Sequence, residues 1–254
     1  MTAQDFTVAL FCRVDESMPE AVKHRLSKLH PSEVVTLGLL QALRGEGLRA
    51  FYRWVRKELE PLFPHLPERS RLSRLLNQHA LETQRFLAQP TLLGICDSYG
   101  IELLHPKRHG RSSRQIAKKG LSNWRWITGA KLGLLLNSFG LVVSWNCQGA
   151  NVHDAAFHPL IQDVQDQMVV LADSGFTSRK GNPHNLKVCH RNTWNERMLI
   201  ETVFSLLTRV MRLKKLSCRT WNGLNTRLAY ALAAFNLCVQ WNGTVQLSLA
   251  NFAL

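Results

Sequence analysis

Residues 168–175 read MVVLADSG. This apolar run stops abruptly at Asp173, and the same pattern recurs in TLLGICDS, residues 91–98, where the run stops at Asp97. Short apolar runs of this kind are typical of buried strands. Because functional groups of α/β sheets collect at the carboxyl ends of strands, we expect both carboxylates to end their strands and to face one site.

The segments around these two runs alternate between strand-like and helix-like patterns. A basic loop is expected at residues 105–123, and WRWITGAKLGLLL (124–136) and LVVSWNC (141–147) predict two strands joined by a turn. The other predicted elements are a short helix within 153–165, a weaker strand at 185–190, and helices over 194–213 and 224–241. This order of elements predicts an α/β fold for residues 89–242, followed by a tail at 243–254.

Residues 1–88 predict a helical N-terminal domain. EVVTLGLLQALR (33–44) follows Pro31 and stops at Gly45, and the prolines of PLFPHLP (61–67) require a turn or loop. Residues 70–87 predict a further amphipathic helix. The pattern fits a DNA-binding module of helix-turn-helix type and a packing domain equally well.

The charge of the chain indicates a polyanionic partner. Its 254 residues include 32 Lys and Arg against 18 Asp and Glu, a net charge of +14, and no acidic residue lies between Leu103 and His153. Such a field favours nucleic acid. No apolar run is long enough to span a bilayer and no signal peptide is visible, so we expect no membrane partner and a cytoplasmic, nucleoid-associated protein.

The basic residues that we expect to contact DNA phosphates lie in three places along the chain. They are Lys107, Arg108, Arg111, Arg114, Lys118 and Lys119 in the basic loop, Lys131 in the following strand, and Arg197, Lys214 and Lys215 near the last two helices.

Carboxylates within so basic a chain repel phosphates unless they hold a cation. Mg²⁺ prefers oxygen ligands, and Mg²⁺ at a carboxylate site promotes phosphoryl transfer. Glu201, in LIETVF, is a third candidate ligand. Read singly, each acid has an ordinary alternative: Asp97 and Asp173 as turn or N-cap residues, and Glu201 as the surface partner of Arg197 at i, i+4 spacing.

Four stretches carry a resemblance to a known family. They are ICDSYGIELLHPKR (95–108), WITGAKLGLLLNSFGLVVSWNCQGANVHDAA (126–156), VVLADSGF (169–176) and NERMLIETVFSLLTR (195–209). In order and context they resemble the DDE transposases of bacterial insertion sequences, over roughly residues 90–240. The resemblance implies an RNase H-like mixed sheet flanked by helices.

It also implies that Asp97, Asp173 and Glu201 form a catalytic triad that binds Mg²⁺, with Mn²⁺ as a substitute. The implied activity is DNA cleavage and strand transfer at the ends of an insertion sequence, by a homodimer or larger assembly bound to those ends and to target DNA. The alternatives are an inactive DNA-binding relic or repressor, and a nuclease that cuts without joining. The NVHD run (151–154) is compatible with site support and with helix capping. The pair Trp124 and Trp126 is compatible with base stacking and with core packing.

Overall fold

The computed structural model of the protein describes residues 2–122, 125–189 and 197–242. The chain divides into two compact units. One comprises Met1–Phe86 and Asn225–Phe235, and the other comprises Leu87–Leu224 and Asn236–Leu254. Each unit has its own core and is described by itself.

The first unit is helical throughout its secondary structure. Its first helices are α1 (Ala3–Glu16), α2 (Pro31–Arg44), α3 (Leu48–Glu58) and α4 (Arg69–Gln78), followed by a 3₁₀ helix at Ala80–Phe86. As predicted, α2 ends at Gly45, which takes the left-handed conformation (φ 63°) that favours glycine. The helix expected over 70–87 is shorter, because the chain changes from α to 3₁₀ geometry after His79.

The last helix, α7 (Trp221–Asn242), contributes its middle turns to this helical unit. There the Tyr230 hydroxyl donates a hydrogen bond to the Leu76 carbonyl at 3.2 Å, and the Tyr230 ring fills the space beside Gly38 where a Cβ would lie. The order of elements in the sequence predicts this helix as part of the domain of residues 89–242, whereas Asn225–Phe235 belong to the helical unit. The helix is apolar around most of its circumference, so its sequence does not indicate which partner it packs against.

The second unit is built on a six-stranded mixed sheet, as the α/β order predicted. Its strands are β1 (Leu93–Glu102), β2 (Lys118–Ser122), β3 (Arg125–Asn137), β4 (Val142–Gly149), β5 (Val169–Asp173) and β6 (Leu186–Cys189). The order is β2-β3-β1-β5-β6, and β4 also pairs with β3. The loop expected to reach residue 123 is therefore too long, because its last part pairs with β3 as β2.

Helices cover the sheet on both faces. The face that bears Cys96, Leu135 and Val170 packs on α5 (His158–Gln162) and on a 3₁₀ helix at Asp154–Phe157. On the other face, α6 (Arg197–Arg209) packs on β1, where the rings of Phe204 and Tyr99 stack with centroids 5.3 Å apart. None of the described helices has the length and apolar character needed to cross a membrane.

Candidate active site

Asp97 lies in the middle of β1, so the expectation that it ends its strand is wrong. Residues Asp97–Glu102 continue the antiparallel pairing with β3, in which Asp97 lies opposite Leu134. What ends near Asp97 is the parallel pairing with β5, whose last registered pair is Ile95 with Leu171. The carboxylate is therefore placed where β1 loses one neighbour, and its Oδ1 accepts the Ser98 amide at 2.7 Å.

Asp173 does end its strand, as expected, and it lies level with Asp97. Since Ile95 pairs with Leu171 in a parallel ladder, two more residues along each strand bring the chain to Asp97 and Asp173 on the same face of the sheet. Asp173 then caps the 3₁₀ helix at Ser174–Phe176 by accepting the Gly175 amide at 2.9 Å. The turn-capping role that the sequence allowed for Asp173 is thus part of its structure.

A third carboxylate, Asp154, lies beside Asp173 and begins the 3₁₀ helix that follows β4. A Cβ at Gly175 would lie 2.9 Å from Asp173 Oδ1 and 3.0 Å from Asp154 Oδ2, so the two carboxylates flank this glycine. Asp154 is not one of the predicted catalytic residues, although it belongs to the NVHD run (151–154), which is compatible with support of a site. His153 takes the capping role instead, accepting the Ala155 amide at 3.3 Å.

The pKa of the buried Cys96 thiol is affected by the charges of three carboxylates. Burial raises the pKa of Cys96 well above its ordinary value, and the charges of Asp97, Asp154 and Asp173 raise it further. All three carboxylates therefore lie within electrostatic range of one core atom. We refer to Asp97, Asp154 and Asp173 as the carboxylate cluster.

Lys131 lies inside the protein, in contrast to the expectation that it contacts DNA. The residue is 7% exposed, and its ammonium donates to Asp154 Oδ1 at 3.1 Å and to the Val152 carbonyl at 3.0 Å. A second donor to Asp154 Oδ1 is the Ser98 hydroxyl, at 2.5 Å. Lys131 thus compensates negative charge of the cluster at Asp154. Its ammonium binds Asp154 and the Val152 carbonyl, whereas the sequence predicted a contact with a DNA phosphate.

Glu201 lies on α6 with its side chain exposed. Three residues further along the helix, Phe204 stacks on Tyr99, and Tyr99 follows Asp97 by two residues on the same face of β1. The helix that carries Glu201 is therefore held on the face that carries Asp97 and Asp173. Within residues 2–122, 125–189 and 197–242, no three His, Cys, Asp or Glu side chains are gathered as a metal site.

The donor set nevertheless fits Mg²⁺ in one of its common binding modes. Mg²⁺ is usually held by one or two carboxylates, with waters and substrate phosphates completing its ligands, and does not require a protein cage. Asp97 and Asp173 offer such a pair on one face of the sheet.

The other basic residues predicted to contact DNA are exposed where they are described. These are Lys107, Arg108, Arg111, Arg114, Lys118, Lys119, Lys214 and Lys215. The backbone at Lys214–Leu216 lies beside Glu102, the last residue of β1. The side chain of Arg197 lies outside the described part of the structure.

Trp126 is 66% exposed, and Lys119 Nζ lies 5.0 Å from the centre of its ring. Core packing is therefore wrong for Trp126, and its indole is accessible to a base. Trp124, the other member of the pair, lies outside the residues that the structure describes. A base stacked on an aromatic side chain in this way adds to backbone contacts.

No protein-family model matches the chain, and no curated protein was found to match it. The inference of function therefore depends on the residues and on their geometry.

Proposed function

We propose that this protein is a DNA transposase with an RNase H-like catalytic core. The observation that carries the proposal is the level placement of Asp97 and Asp173 on adjacent parallel strands, within a chain of net charge +14. The order of the four transposase-like stretches supports it, and so does the mixed sheet flanked by helices.

The proposed reaction is hydrolysis of a phosphodiester at the end of the element, which releases a 3′-hydroxyl. That hydroxyl then attacks a phosphodiester of the target DNA, which forms a new phosphodiester and releases the 3′-hydroxyl of the broken target strand. Asp97 and Asp173, with Glu201 from α6, would hold Mg²⁺ or Mn²⁺, and a bound divalent ion would stabilise the charge on the reacting phosphate. No Ser or Tyr nucleophile is assigned, because the two steps need no covalent protein–DNA intermediate.

The chain's own basic residues would bind and orient the DNA. The exposed cations of the basic loop, together with Lys214 and Lys215 beside the end of β1, are suited to contact backbone phosphates. Pairing of two DNA ends would require a homodimer or a larger assembly. We place its activity in the cytoplasm, at the nucleoid, where such DNA lies.

The test is cleavage of a plasmid that carries the gene with its own flanking DNA, in Mg²⁺ or Mn²⁺. Asp97→Asn, Asp173→Asn and Glu201→Gln keep the size of each side chain and remove its charge. Each should reduce cleavage by more than about 1,000-fold while DNA binding is retained. Asp166→Asn is the matched control, because Asp166 is an exposed acid in the same unit, outside the carboxylate cluster.

The products separate the alternatives. Cuts at discrete ends followed by joining to a second DNA support a transposase, whereas cuts without joining indicate a nuclease. Binding to those ends without cleavage, unchanged in the three variants, would identify a DNA-binding relic or repressor and overturn the proposal.

A further inference from the structure

The helical unit contains a cleft to which three arginines contribute. Arg49, Tyr52 and Arg53 of α3 and Glu68, Arg69 and Ser70 at the start of α4 enclose about 420 Å³. All six residues belong to the first unit, so this cleft is separate from the carboxylate cluster.

The arginines of the cleft have no ion-pair partner within residues 2–122, 125–189 and 197–242. Arg49, Arg53 and Arg69 are exposed and take part in none of the ion pairs between described residues. Arg44, by contrast, pairs with Glu46 at 2.9 Å and covers the Trp54 ring at 4.1 Å. Glu68 is the one acid that lines the cleft, so three positive charges face one negative charge.

Core packing and one hydrogen bond hold the walls of the cleft in place. The inner side of α3 carries Phe51 and Val55, both fully buried. On the cleft side, the Tyr52 hydroxyl donates to the Pro67 carbonyl at 3.1 Å, which ties α3 to the loop that enters α4. The arginines thus project from a backbone that is held by packing and by this hydrogen bond, so binding of an anion there would need little rearrangement of the main chain.

The start of α4 adds to the positive potential. Glu68 makes no side-chain hydrogen bond that caps this ten-residue helix, so the amides of its first turn remain available beside Arg69. Arginine recognises phosphate through paired N–H donors, and backbone amides at a helix start bind the same oxygens.

We infer that this cleft binds the phosphate backbone of duplex DNA, as a second contact surface distinct from the proposed catalytic site. Arg49 and Arg53 are one helical turn apart, about 6 Å along the axis, so they suit a row of charges better than one small anion. Arg56 continues the exposed row of α3 beyond the cleft. Backbone phosphates carry no base identity, so the contact positions DNA without reading its sequence.

The inference is tested by binding of a labelled 30-base-pair duplex to the full chain, without divalent metal, between 50 and 200 mM salt. Replacing Arg49, Arg53 and Arg69 together by Ala should weaken binding at least tenfold. It should also reduce the slope of log affinity against log salt by about 2–3, because each lost phosphate contact removes about 0.9 from that slope.

A matched triple variant distinguishes binding at this cleft from a general effect of the net charge of the protein. Arg13, Arg25 and Lys28 are exposed cations of the same unit that do not line the cleft. Their replacement by Ala removes the same charge and should leave the salt slope within about one of the wild-type value. Equal losses in the two triple variants would overturn the inference.

A variant that binds DNA more tightly than the wild type provides a test that does not depend on whether the triple variant folds. Glu68→Gln removes the acid from the cleft and should tighten DNA binding about twofold or more, whereas Glu60→Gln, an exposed acid outside the cleft, should not. Unchanged binding in Glu68→Gln would contradict the site. An acidic polypeptide that binds as tightly as DNA, through the same arginines, would show that phosphate recognition is wrong.

These experiments do not depend on the proposed catalysis. Cleavage that is lost in Asp173→Asn, with the cleft variants binding DNA as the wild type does, would overturn the cleft alone. If the cleft variants lose DNA binding and the wild type does not cleave DNA, only the proposed transposase activity would be overturned.

Discussion

The ammonium of Lys131, in the middle of β3, lies 3.1 Å from Oδ1 of Asp154, the first residue of the 3₁₀ helix at Asp154–Phe157. The side chain of Lys131 is 9% exposed and that of Asp154 is 26% exposed, so the pair is largely shielded from water. With the Ser98 hydroxyl on the same carboxylate oxygen, this ion pair joins the loop after β4 to the strands β1 and β3. The pair thus holds Asp154 in its position within the carboxylate cluster.

Breaking this pair should destabilise the protein. Lys131→Met removes the cation that pairs with Asp154, and Asp154→Asn removes the negative charge that pairs with the buried ammonium. We expect each to lower the free energy of unfolding by about 2–3 kcal/mol, below the value for a fully buried pair because Asp154 is partly solvated. Urea unfolding of both variants and of the double variant should give a coupling energy of at least about 1 kcal/mol. Strict additivity would mean that the two side chains do not interact.

Gly133 should be sensitive to the addition of a single methyl group. A Cβ at this position would lie 2.4 Å from the Phe157 ring, which is fully buried in the core beneath β3. Gly133→Ala should therefore cost about 1–3 kcal/mol of stability through overpacking. Adding Phe157→Leu should relieve the clash, so the double variant should be more stable than the sum of the two single effects predicts. Simple addition of the two costs, measured by thermal unfolding, would show that this contact does not limit the packing.

The sequence predicted most elements of the structure because each was encoded locally. Gly45 ended α2, and the apolar runs became β1 and β5. The expectation that Asp97 ends its strand is wrong because a polar residue after an apolar run looks like the end of a strand. In the structure, β1 continues past Asp97 through residues that pair with β3. A strand's end depends on its neighbours, which the run itself does not specify.

The candidate site was predictable only in part, for a related reason. The two aspartates after apolar runs were visible in the sequence, but the role of Lys131 depends on Asp154, which lies 23 residues further along the chain. A lysine in an otherwise apolar strand reads as a surface residue until its buried partner is known. The partner of α7 was hidden in the same way, because a helix with little amphipathic character does not indicate which side it presents.

Cys147 should make stability depend on pH in the alkaline range. Burial, with a smaller contribution from Cys218, raises the pKa of the Cys147 thiol from 9.0 to about 12. Below pH 9 the thiol is protonated in both states, so the stabilisation is fully present. Between pH 9 and 12 the unfolded chain loses this proton and the folded chain keeps it, so stability should fall by at most about 1.4 kcal/mol per pH unit.

The comparison of wild type with Cys147→Ala isolates this effect, since other alkaline groups titrate in both proteins. The variant should lose less stability than the wild type when urea unfolding is repeated at pH 8, 9 and 10. Parallel curves for the two proteins would contradict the raised pKa.

Gly175 offers a test of the carboxylate cluster that changes no charge. Its backbone is not left-handed, so alanine is compatible with the main chain. The added Cβ would lie 2.9 Å from Asp173 Oδ1 and 3.0 Å from Asp154 Oδ2, so both carboxylates must turn away. Carboxylate ends move more cheaply than a packed core, and the melting temperature should change by less than about 4 °C.

Gly175→Ala should nevertheless reduce Mg²⁺-dependent cleavage at least about tenfold, because a small displacement of positioned groups is costly to catalysis. Calorimetric titration with Mn²⁺ should show weaker binding by the same variant. Gly47→Ala is the control, since nothing lies within 4 Å of the Cβ that it would add. If Gly175→Ala cleaves DNA and binds Mn²⁺ as the wild type does, the space between Asp154 and Asp173 has no part in metal binding, and the assignment of Asp173 as a ligand fails with it.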